Sequence, residues 1–62
     1  MVKKFKVYFN YESSIIVEIE LKDEQWNRLT DEQKRDFIKQ TIYSQCIHIE
    51  EILPSGMQIK IT

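Results

Sequence analysis

Apolar and polar residues alternate over residues 3–10, with Phe5, Val7 and Phe9 on one side and Lys4, Lys6 and Tyr8 on the other. A period of two sends successive side chains to opposite faces of a pleated strand, so this stretch predicts a half-buried strand. Residues 15–21 repeat the pattern: Ile15, Val17, Ile19 and Leu21 face one way, Ile16, Glu18 and Glu20 the other, and the β-branched content suits the pleat. The intervening Asn10-Tyr11-Glu12-Ser13-Ser14 is polar and short, as a hairpin loop requires. Facing Phe9 with Ile15, Val7 with Val17 and Phe5 with Ile19 brings the apolar sides together. It also sets Lys6 opposite Glu18 and Lys4 opposite Glu20, whereas a slip by one residue would set apolar side chains against charged ones.

The period then changes. At about 100° per residue, residues 29–46 place Phe37, Ile38, Thr41, Ile42 and Gln45 on one face, Lys34 at its margin and Cys46 at its far edge. Arg35, Asp36, Lys39, Gln40 and Tyr43 fall opposite. Thr30 followed by Gln33 is a capping-box spacing, and Asp31 and Glu32 suit the positive end of a helix dipole. A single helical turn is expected just before it, capped by Asp23, with Trp26 and Leu29 pointing the same way and the indole closing one end of the core.

Strand residues return over 47–53, where Ile47, Ile49 and Leu53 alternate with His48, Glu50 and Ile52. Glu51 then falls on the apolar side, a conflict that a bulge or a sheet edge would relieve. Leu53-Pro54-Ser55-Gly56 is a turn: proline pre-sets the first central position, and glycine accepts the left-handed conformation that follows. Residues 57–62 alternate again, Met57, Ile59 and Ile61 against Gln58, Lys60 and Thr62, and a three-residue loop sets Glu50 opposite Lys60.

The order strand, strand, helix, strand, strand predicts an α+β fold of β-β-α-β-β type, an antiparallel sheet of two hairpins with one main helix packed on one face. With 62 residues the chain has room for one domain, residues 1–62, and one layer of core. A chain of this length buries only about 60% of its unfolded surface, which makes a staple or a partner subunit an expected supplement. Cys46 is the only cysteine, so no internal disulfide supplies the staple, and a lone thiol fits a reducing, cytoplasmic setting. The longest apolar run is Ile15-Ile16-Val17, far short of a membrane span, and the first residues lack the apolar core of a signal peptide. Nine basic and ten acidic residues nearly cancel, at a formal net charge of −1, which argues against a strong field for nucleic acid or anionic membrane.

Chemistry-bearing groups are few. Cys46 and His48 share one side if both lie in a strand, but no third residue and no glycine-rich turn stands near to build an oxyanion hole, so a small buried thiol is the expected role. His48, Glu50 and Glu51 lack a fourth ligand at metal-site spacing. No catalytic, cofactor-binding or metal-binding residue is assigned. The interleaved Lys3-Lys4-Phe5-Lys6-Val7-Tyr8-Phe9 has the composition of a nucleic-acid platform, yet the alternation turns Phe5 and Phe9 inward and leaves Tyr8 beside Lys4 and Lys6. A single helix cannot cover both faces of a sheet. The reverse face therefore displays Tyr8, Ile16, His48 and Ile52 among paired charges, the arrangement of an interface, and Trp26, Tyr11 and Tyr43 add aromatic anchors. Tyr8, Ile16, Tyr43, His48 and Ile52 are the candidate partner-binding residues.

At Asp23-Glu24-Gln25-Trp26-Asn27-Arg28-Leu29-Thr30-Asp31-Glu32-Gln33-Lys34, preceded by a Lys-rich first strand and a Glu-rich second, the chain resembles small phage- and prophage-encoded accessory proteins. These include compact inhibitors of bacterial antiviral systems, some homodimeric, with Hachiman-type inhibitors the nearest kind. The resemblance implies a non-enzymatic protein-binding module that inhibits a host antiviral defence protein as a small homodimer in the bacterial cytoplasm. The alternative is a small nucleic-acid-binding regulator using the Lys-rich first strand.

Overall fold

In the computed structural model, which describes residues 1–61, four strands form one antiparallel sheet: β1 (Val2–Tyr8), β2 (Ser14–Glu20), β3 (His48–Ile52) and β4 (Gln58–Lys60). Between β2 and β3 the chain forms α1 (Asp23–Asn27) and α2 (Asp31–Ile42). The fold is α+β, as the alternating and helical periods predict, and the strand order is β2-β1-β3-β4. Thr62, placed by sequence in the last strand, lies outside the described residues.

The core is where the inward rows meet the helices. Phe5, Val7, Ile49 and Ile61 from the sheet are buried with Trp26 of α1 and Ile38 of α2. Trp26, only 2% exposed, sets its ring 5.1 Å from Phe5 and 6.3 Å from Phe37, and so closes one end of the core as expected. Its burial corrects its expected role as a surface anchor. Burying a side chain of this class is worth about 1.5–3 kcal/mol, so a domain with so few of them depends on each one.

The capping box on α2 is present: Gln33 N–H donates to Thr30 Oγ1 at 3.2 Å and Thr30 N–H to Gln33 Oε1 at 2.9 Å. The helix is shorter than its periodicity predicts. It stops at Ile42 because Tyr43 turns left-handed, and this leaves Gln45 exposed in the following segment rather than on the apolar face. Thr41 is also exposed, and its hydroxyl donates to the Phe37 carbonyl. Asp23 does not cap α1; it is the first helical residue, and its carboxylate reaches Lys3 Nζ at 2.9 Å instead.

The first hairpin pairs two residues out of the expected register. Val7 faces Ile15, Phe5 faces Val17 and Lys4 faces Glu18, while Lys6 faces Ile16 rather than Glu18. The shift by two keeps every side chain on its predicted face. Its cause is the tight turn at Asn10, whose Oδ1 accepts both the Glu12 and Ser13 N–H groups at 2.8 Å and draws Ser13 into pairing with Phe9. The second hairpin has the predicted form: Leu53 N–H donates to the Met57 carbonyl around a three-residue loop, Gly56 has φ +90°, and Glu50 faces Lys60.

Glu51 needs neither bulge nor edge. β3 is interior, with Glu51 opposite Phe5 on one side and Ile59 on the other. Its carboxylate is answered within the helix-covered side, by the Trp26 indole N–H at 3.2 Å and by Lys3 Nζ at 3.5 Å. The conflict in the sequence pattern is thus a half-buried polar contact that ties α1 to the middle of the sheet.

Candidate functional site

Both helices lie on the Phe5 side, so the reverse face of the sheet stays open. Even-numbered residues occupy it: Lys4, Lys6 and Tyr8 on β1, Ile16 and Glu18 on β2, His48, Glu50 and Ile52 on β3. The rungs run across the sheet. Tyr8 faces His48, Lys6 lies between Ile16 and Glu50, and Lys4 lies between Glu18 and Ile52.

At one end of this face the side chains interlock. The Tyr8 and His48 rings stand 5.2 Å apart at 52°, and Lys6 Nζ lies 5.1 Å above the Tyr8 ring, within cation–π range. His48 Nε2 is 2.8 Å from Glu50 Oε2, so a proton on that nitrogen donates to the carboxylate and fixes the imidazole plane. Tyr8 and His48 are each half-buried by these contacts. Together with Asn10, Tyr11 and Ile47 they line a groove of about 410 Å³. The turn bracketed by Asn10 holds Tyr11 out at 99% exposure beside that groove, and the Ile47 N–H donates to the Tyr8 carbonyl at 2.9 Å, which fixes the groove's floor.

Of the residues selected from sequence, Tyr8 and His48 come together directly. Ile16, 55% exposed, and half-buried Ile52 share the open face but belong to other rungs. Ile52 also borders a groove of about 640 Å³ at the far end of the strands, beside Lys3, Asp23, Glu51 and Pro54. Lys3, Asp23 and Glu51 are already engaged with one another there. Lys3 sits above its ordinary pKa chiefly because it donates to Asp23, with Glu51 adding attraction and burial pulling the other way.

Tyr43 shares neither groove. It follows α2 in the left-handed region, φ 53° and ψ 39°, and is 94% exposed. A β-carbon in that conformation costs about 1–2 kcal/mol, which is why glycine or asparagine usually ends a helix this way. A bulky ring held outward at a strained position is the kind of outlier that points to a contact.

Asn10, Tyr11 and Ile47 complete the groove around Tyr8 and His48. Tyr11 is legible as an aromatic in a polar loop, and the Asn10 turn as an Asn followed by short polar residues. Ile47 carries no such signal, since it precedes β3 and reads as part of an apolar alternation.

The reactive groups do not converge. Cys46 precedes β3 and packs against the core, while His48 stands on the open face, which parts the pair that strand spacing would place together. Burial raises the Cys46 thiol pKa, against the smaller opposing pull of Lys39 and Arg35. Glu51 lies on the other face from His48 and Glu50, and no group of three or more potential metal ligands occurs among the described residues. No helix among them is long and apolar enough to cross a membrane.

Fold and site together define a small α+β domain with one covered sheet face and one open face that ends in an aromatic and histidine groove. Comparison with protein-family models, curated proteins and solved structures finds no match to this chain.

Proposed function

We propose that the chain is a non-enzymatic protein-binding module, acting as a small homodimer and, in line with the resemblance at residues 23–34, a phage-encoded inhibitor of a host antiviral defence protein. The observation that carries the reading is the Tyr8–His48 pair beside exposed Tyr11. The Tyr8 and His48 rings are held there by strand pairing and a hydrogen bond between His48 and Glu50, and so reach a partner already ordered, with Tyr11 presented beside them by the bracketed turn. Inhibition by occupying a host protein's surface requires such anchors and no reacting group. Affinity capture from a bacterial lysate, repeated with the captured protein in purified form, tests the reading. The expected result is one host protein whose affinity falls about tenfold or more, ~1.4 kcal/mol, on combining Tyr8→Ala with His48→Ala. Unchanged affinity would remove the groove from the interface, and the lack of any specific protein would remove the module reading.

One contact favours a second reading, a small nucleic-acid-binding regulator using the Lys-rich first strand. The Lys6 ammonium over the Tyr8 ring places a cation beside a stacking surface. Glu18 and Glu50 on the same face oppose phosphate. This reading predicts binding that weakens with salt and with Lys4→Ala and Lys6→Ala, and failure to shift any DNA or RNA at low salt dismisses it.

A further inference from the structure

The two margins of the sheet are unequal. β4 offers three residues, whereas β2 is a seven-residue edge strand with no proline, lysine or bulge to blunt it, and its only charges, Glu18 and Glu20, sit toward its C-terminal end. The ladder shows which backbone groups it leaves open. Leu21 N–H donates to the Met1 carbonyl and Phe9 N–H to the Ser13 carbonyl, both at 2.9 Å, so these facing residues are hydrogen-bonded pairs. Such pairs alternate along an antiparallel ladder. The odd-numbered residues of β2 therefore turn their N–H and carbonyl groups to β1, and those of Ser14, Ile16, Glu18 and Glu20 point to the open side. Ile15, 44% exposed, and Ile16, 55% exposed, flank that margin on opposite faces.

We propose that the β2 edge seats a second copy of the chain, paired antiparallel about a two-fold axis at Ile16 so that two four-stranded sheets become one. This rests on the reading of the chain as a homodimer. Pairing through the open groups must set even-numbered residues opposite even-numbered ones, which leaves few registers, and charge decides among them. An axis at Glu18 sets two carboxylates face to face, which destabilises a strand pair. An axis at Val17 sets each Glu18 against an isoleucine and the two Glu18 side chains on neighbouring diagonals. With the axis at Ile16, Ile16 meets Ile16 on the open face, Ile15 meets Val17 on the covered face, and Glu18 meets Ser14. Glu12 has by then left the strand in the Asn10 turn. About six backbone hydrogen bonds form in this register, and the two exposed Ile16 side chains close over one another while Ile15 packs against Val17.

Single-cysteine crosslinking of the whole chain tests the register. Hydrogen-bonded facing residues hold their Cα atoms about 5.5 Å apart, within the span of a disulfide. In a Cys46→Ser background, Ile16→Cys is expected to form an interchain disulfide several-fold faster than Val17→Cys or Glu18→Cys, and light scattering of the unaltered chain to give a dimer mass. A dimer that crosslinks fastest at Val17→Cys or Glu18→Cys, or at none of the three, overturns the inference and leaves the homodimer reading standing. A monomer at high micromolar concentration overturns both. Ile16→Pro removes an N–H that points away from β1 and is expected to give a folded monomer. Ile16→Lys gives the same readout if the proline variant unfolds, and a folded dimer from the lysine variant would overturn the edge pairing.

Discussion

Trp26 Nε1 donates to Glu51 Oε1 at 3.2 Å, joining a buried indole in α1 to a carboxylate in the middle of the sheet. Glu51→Leu suits the local alternation of side chains but leaves that N–H without an acceptor, and an unmet buried donor costs about 1–3 kcal/mol. Urea denaturation is expected to show a loss of that size for Glu51→Leu and a smaller one for Glu51→Gln, which keeps an acceptor oxygen. A gain in stability for the leucine variant would show that burial of the charge outweighs the hydrogen bond.

Lys3 carries a sign that can be checked with pH. Its pKa is raised in the fold, first by donation to Asp23, so the folded state holds the proton more tightly than the unfolded chain. The stability it contributes is present throughout the neutral range and is lost as pH rises above the ordinary lysine range through the raised value. Lys3→Met is expected to flatten that alkaline decline in a urea midpoint series, and an unchanged decline would assign it to other groups.

Tyr43 separates strain from contact. Tyr43→Gly relieves a left-handed β-carbon and is expected to raise stability by about 1 kcal/mol, while removing the ring. Weaker capture of a host protein by this more stable variant would place Tyr43 at the interface. Equal capture would leave the ring without a role in binding.

Ile38 is the helix's one fully buried side chain among Phe5, Val7, Ile49 and Trp26. Ile38→Ala is expected to cost about 2–5 kcal/mol, comparable with the whole stability of so small a domain. Circular dichroism should show it largely unfolded at room temperature.

Cys46 should be a sluggish nucleophile. Burial raises its pKa and lowers the thiolate fraction that alkylating reagents attack. At neutral pH the folded chain is expected to react more slowly than the same chain in urea, and equal rates would show the thiol to be freely accessible.

Much of this fold can be read from two periods. Alternation marked which side of each strand faces inward, and the Thr30–Gln33 spacing marked the start of α2, because both depend on neighbours within a few residues. The register of the first hairpin escaped because one amide side chain, Asn10, outweighed cross-strand charge matching. The end of α2 escaped because Tyr43 carries none of the glycine signature of a left-handed cap. Glu51 looked like a misfit because its partners, Trp26 and Lys3, are remote in sequence. For the candidate site, the meeting of Tyr8 with His48 depends on strand order, to which local pattern is blind.

That strand order also shapes how the chain reaches its folded state. β1 joins β2 across a tight turn, a kind of contact that forms on the order of microseconds, whereas pairing β1 with β3 closes a loop that carries both α1 and α2. Closing the longer loop spends chain entropy before Phe5 and Val7 gain their cover from Ile38 and Ile49. The β1–β2 hairpin alone would leave its inner row wet. Damage far downstream, at Ile49, would undo the first two strands as surely as damage within them.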